Sequence, residues 1–115
     1  MEILAYVFQA ILILMFVIAG IGKVVGSEMH VEGFEHWRLP QWFRVVTGMV
    51  EIVGAALILV GYWIPSFALV GALILGITGI GGIVTHIRVK DTFKETSTIL
   101  FLAILSFIVF FIYYL

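Results

Sequence analysis

Residues 43–64 read FRVVTGMVEIVGAALILVGYWI and residues 66–87 read SFALVGALILGITGIGGIVTHI, with Pro65 alone between them. Each run supplies the roughly 20 apolar residues that a helix needs to cross a bilayer. Proline is tolerated in a helix's first turn, where its missing N–H breaks no bond, so Pro65 reads as the start of the second run. With so short a link the two helices form an antiparallel hairpin. Working outward, Ile3–Gly22 and Thr98–Leu115 are equally apolar. The expected fold is therefore all-α: a single integral membrane domain over residues 1–115, an antiparallel four-helix bundle with spans near 3–22, 43–64, 66–87 and 98–115. Hydrophobic residues make up 63% of the 115, charged ones 11%, and mean hydropathy is +1.26. Soluble domains run at about 45–50% and 25%. No soluble domain or nucleotide-binding fold fits in what the spans leave, and no nucleic-acid partner is expected.

The connections carry the remaining signals. Pro40-Gln41-Trp42 reads as a helix start, and Thr92 with Glu95 as a capping box opening the last helix, with Asp91 adding negative charge near that positive helix end. In Val24–Leu39, His30, Phe34 and Trp37 recur at helical spacing while Glu28, Glu32 and Glu35 fall between them. That pattern predicts a short interfacial helix or re-entrant segment laying an apolar edge on the membrane surface. Phe34, Trp37 and Trp42 are accordingly candidates for docking a partner, and Tyr62, Trp63, Tyr113 and Tyr114 form the opposite aromatic belt.

Net charge is only −1, but Lys23, Arg38, Arg44, Arg88, Lys90 and Lys94 all flank the two long connections. The positive-inside rule then predicts a multi-pass protein of the cell membrane with both termini outside and both long loops in the cytoplasm. The first segment lacks a basic n-region and a small-residue cleavage site, so it reads as a span rather than a signal peptide. The absence of cysteine excludes disulfides, thiolate metal sites and a thiol relay within this chain.

Glu51 lies in the middle of the second span, where a carboxylate costs roughly 2.5–3.5 kcal/mol on insertion scales. Arg44, Thr47, Gly48, Gly54 and Ala55 share its helix face, the small and polar one, which should pack inward. Thr78, Gly79, Gly82, Thr85 and His86 share a face of the third span, and Lys23 ends the first span one turn after Gly20. Lys23, Arg44, Thr47, Glu51, Thr85 and His86 are therefore the candidates for ligand binding or proton relay. The structural alternative has Glu51 paired with Lys23 or Arg44, or hydrogen-bonded to His86, to fix helix packing. No catalytic residue stands out. His30, Glu32, Glu35 and His36 fall short of the converging ligands and second shell a metal needs, so no metal site is expected. Gly22 and Gly26 read as a small-xxx-small pair for close helix packing.

Phe16–Lys23 (FVIAGIGK), Phe34–Pro40 (FEHWRLP), Glu51 and Gly54 followed by Leu57–Gly61 (LILVG), and Thr85–Asp91 (THIRVKD) occur in an order that resembles the DoxX-like family of small four-helix membrane proteins. The resemblance covers nearly the whole chain. It implies an accessory subunit or assembly factor of a membrane redox complex, quinone-linked or of oxidative stress, with Lys23, Glu51 and His86 as the matched polar positions and no catalysis by this chain alone. A membrane protein partner or a second copy of the chain is then expected beside the lipid bilayer. No cofactor is expected in the chain itself; a quinone or lipid is the ligand class its polar site admits. Two other classes stand beside this one. One is an enzyme or binding protein for a lipophilic small molecule, with Glu51 and His86 as acid and base. The other is a proton-coupled transporter of the small multidrug type, whose membrane-embedded acid lies in the first helix, where this chain has Gln9.

Overall fold

The computed structural model describes residues 2–115. They form five helices: α1 (Glu2–Val25), α2 (Glu28–His36), α3 (Gln41–Val60), α4 (Pro65–Arg88) and α5 (Phe93–Tyr114). The four long ones are each long and apolar enough to cross a membrane. At 1.5 Å per residue even the 20-residue α3 covers about 30 Å, the thickness of a hydrocarbon core. Their ends confirm the punctuation: Pro40 caps α3, Pro65 occupies the first turn of α4, and Thr92 and Glu95 form a reciprocal capping box on α5. The short helix expected after the first span is α2.

The helices pack in the cyclic order α1–α3–α4–α5, with α1 meeting α5 more lightly than the other neighbours meet. The stripe Ala5, Gln9, Leu12, Phe16 and Gly20 on α1 recurs every three or four residues and is buried, as is Gly48, Glu51, Gly54, Ala55 and Ile58 on α3. Leu12, Phe16, Ala55, Ile58, Leu75, Leu105 and Val109 form the centre of the core. Large apolar side chains cover the outside, Ile18, Val53, Ile77 and Ile104 among them, as lipid requires.

Two close approaches set the register. A Cβ on Gly48 would stand 2.7 Å from the Gly20 carbonyl oxygen, and one on Gly71 would stand 2.8 Å from that of Gly54. Small residues thus bring backbones together, as in membrane helix pairs generally. Gly22 and Gly26 do not serve this purpose. Gly22 faces the His30 ring, and Gly26 lies beyond α1 in the left-handed region (φ 75°), where it ends the helix. The same helix ending recurs at Arg38 (φ 59°) and Lys90 (φ 61°), in each case with the following N–H bonded five residues back. These turns fold the chain sharply back at the basic end of the bundle.

Near the opposite end, Gln9 is fully buried, donates to the Ile58 carbonyl (3.3 Å) and accepts from the Tyr113 hydroxyl (2.6 Å). Tyr62 donates to the Tyr6 carbonyl (2.8 Å). Two members of the expected aromatic belt thus tie helices together, while Trp63 and Tyr114 remain exposed.

Candidate functional site

Because Gly20 and Gly48 draw α1 and α3 together, the Lys23 stem passes directly over Gly48 and its ammonium reaches Glu51. Nζ stands 2.9 Å from Oε1 and 3.3 Å from Oε2, and only the Oε2 contact has hydrogen-bond geometry. The Lys23 and Glu51 side chains are 12% and 4% exposed, so this is a buried ion pair whose carboxylate keeps acceptor capacity.

Of the three partners considered for Glu51, the structure selects Lys23. Arg44 donates to the Lys23 carbonyl and to Gln41 Oε1 (2.7 Å), so it fastens the end of α1 to the start of α3. His86 bonds through Nδ1 to Asp91 Oδ2 at 2.6 Å. Neither reaches Glu51, because α1 is the helix that approaches α3 at that height.

A cavity of about 590 Å³ adjoins the pair, with walls from all four spans and from the α2 segment. It gathers five of the six ligand or relay candidates, Lys23, Thr47, Glu51, Thr85 and His86, and leaves out Arg44. The α3–α4 hairpin explains the space. At its turn a Cβ on Gly61 would meet Ala68 at 2.4 Å, whereas at the basic end Gly81 has no atom within 4 Å of where its Cβ would be. The hairpin therefore splays, and exposed Val46, Val50 and Gly81 on the cavity wall mark a lateral opening between α3 and α4. A larger groove, about 710 Å³, lies between α4 and α5 and is lined only by apolar side chains such as Ile80, Phe107 and Ile112. It offers a ligand no polar side chain.

The basic end of the cavity is closed by a cluster that sequence reasoning missed. Asp91 accepts from His36 Nε2 (2.7 Å), Trp37 Nε1 (3.2 Å) and His86 Nδ1, and Arg88 donates to the Trp37 carbonyl. Trp37 sits edge-on to both Phe34 (5.4 Å) and His86 (5.2 Å). Asp91 thereby joins the α2 segment to the end of α4. These hydrogen bonds, led by that of His36, hold its carboxyl below the usual carboxylate value. The two imidazoles address different oxygens of one carboxylate, and among the described residues no group of three metal-ligating side chains converges. Asp91 lies outside any helical period, so its spacing held no signal; the left-handed turn at Lys90 is what folds it back onto His86.

The docking candidates divide. Phe34 is 3% exposed and lines the cavity together with Trp37, so neither forms an outward edge, because Asp91 and His86 hold the segment against the bundle. Trp42 is 67% exposed and does face outward. His30 packs against Gly22; burial, then the charges of Lys23 and Arg44, hold its pKa below the ordinary value.

No solved structure matches the chain. An uncharacterized protein of Bacillus subtilis (strain 168), YdgD, is 38% identical over 63 residues, which is 55% of this chain and 54% of that protein, so the match spans about half of either. The model of the DoxX-like family matches residues 7–109, which include α2, α3 and α4 whole and every residue of the cavity wall. With four membrane-spanning helices and a family match over nearly its full length, the chain belongs to the DoxX-like family.

Proposed function

We propose that this protein binds a lipophilic small molecule with a polar head group, a quinone-like or lipid-like ligand, in the basic-end cavity, and that it does so as an accessory subunit of a membrane redox complex. One observation carries the binding reading: a largely apolar cavity of about 590 Å³ that has a buried Lys23–Glu51 pair in its wall. Binding sites for small molecules have this composition and size, apolar walls with a few placed polar groups. The splayed α3–α4 side gives a molecule dissolved in the bilayer a way in. The accessory role is supported by family membership. Transport of the multidrug type fits less well, since Glu51 has a fixed cation in Lys23 rather than standing free to exchange one. We place the basic end on the cytoplasmic side by the charge rule.

The test is mass spectrometry of proteins and small molecules that co-purify in mild detergent with the native chain and with Gly81→Leu, whose side chain enters the open space at Gly81. A lipophile present with the native chain and depleted with Gly81→Leu is the expected result. Equal recovery with both would remove the cavity as the site, and absence of any membrane oxidoreductase from the native preparation would remove the accessory role.

A further inference from the structure

Resting on the binding reading above, we infer that the ligand's head group is a neutral hydroxyl, a phenol or alcohol, seated between Glu51 and Lys23, so that among quinone-like molecules the site takes the reduced, hydroxyl-bearing form. The pair sets an acceptor and a donor side by side, 2.9–3.3 Å apart. Glu51 receives one aligned N–H, from Lys23, although a carboxylate offers about four acceptor positions; the ammonium has three N–H groups and directs one along that bond. A hydroxyl serves both at once, donating to the carboxylate and accepting from the ammonium. A carbonyl or ether can only accept, and leaves the Glu51 acceptor without a partner.

Most donors of the neighbouring wall are already committed. The hydroxyls of Thr47, Thr78 and Thr85 donate to the carbonyls of Phe43, Ile74 and Gly81, each at 2.8 Å. The Trp37 indole N–H is held by Asp91, and the Arg44 guanidinium by Gln41 and the Lys23 carbonyl. Charge decides the remaining choice. Glu51 and Lys23 already neutralise one another, and Glu95, the wall's other carboxylate, accepts from the Thr92 N–H (2.8 Å), so beside the pair a cationic head would meet the ammonium and an anionic head the carboxylate, each in a desolvated site.

The experiment is calorimetric titration of the protein in lipid nanodiscs with three alkyl probes of matched chain: 4-nonylphenol, its methyl ether and 4-nonylcyclohexanone. Decylammonium is the charged control. Trp37 fluorescence in a Trp42→Phe, Trp63→Phe background reports occupancy of the cavity itself. The phenol should bind about tenfold or more tightly than the ether or the ketone, the penalty for one buried acceptor left unmet. In Lys23→Met with Glu51→Leu, which removes both charges together, all three should bind alike. Equal affinity of the three for the native protein, or tighter binding of decylammonium, overturns the inference and leaves the cavity as a lipophile site. Failure of every probe to bind overturns the binding reading itself.

Discussion

Removing one member of the Lys23–Glu51 pair strands a buried charge, and the two removals should differ in a way that follows from where each residue sits. Breaking a buried ion pair costs about 3–5 kcal/mol, because the survivor loses its compensation without regaining water. Lys23 lies two residues from the end of α1 on a long flexible stem that can carry its ammonium outward. Glu51→Gln should therefore fall at the low end, about 3 kcal/mol. Glu51 sits midway along α3 with its side chain 4% exposed and has no such escape, so Lys23→Met should fall near the top, about 5 kcal/mol. The double variant Lys23→Met, Glu51→Leu removes both charges and should lie within about 1 kcal/mol of the native protein, far from the sum of the single effects. The assay is reversible unfolding in mixed micelles, followed by circular dichroism. Additive losses in the double variant, or single variants indistinguishable from native, would refute the pairing and with it the site built on it.

Gly48→Val should force α1 and α3 apart and cost about 1–3 kcal/mol in the same assay, whereas Gly81→Ala, with open space at its Cβ, should melt no lower than native. A pH titration of melting should show His30: its folded pKa lies below the ordinary 6.5, so its contribution is complete above that value and is lost as pH falls through the folded pKa, and His30→Phe should flatten the profile over that range. Asp91→Asn should speed hydrogen exchange in α2 and Trp37; unchanged exchange would show that Asp91 does not hold the segment. Asp91 itself, with a depressed folded pKa, stabilises above the usual carboxylate value and loses its effect only as pH falls through the lower folded one. A C-terminal reporter should be active outside the cytoplasm; activity only inside would invert the proposed orientation.

The sequence by itself determined what depends on neighbours along the chain. Apolar runs of bilayer length gave four spans, Pro65 gave the hairpin, Thr92 and Glu95 gave the capping box, and helical periodicity put Glu51 on the small, polar face of α3. Five of the eight polar residues that line the cavity were legible as candidates, because an intramembrane charge is conspicuous against lipid, whereas Thr78, Glu95 and Thr98 join the wall only through packing. What only the tertiary structure decided was pairing. Lys23, not Arg44 or His86, meets Glu51, because the Gly20–Gly48 contact sets the height at which α1 crosses α3, and no periodicity within one helix encodes its register against another. Phe34 and Trp37 turn inward rather than onto a partner because Asp91, folded back by the left-handed turn at Lys90, binds their segment to His86. Gln9 finds Tyr113 in the same way, from opposite ends of the chain. Lys23–Glu51, Trp37–Asp91 and Gln9–Tyr113 each join residues remote in sequence, and their free energy depends on a geometry that exists only once the helices have packed.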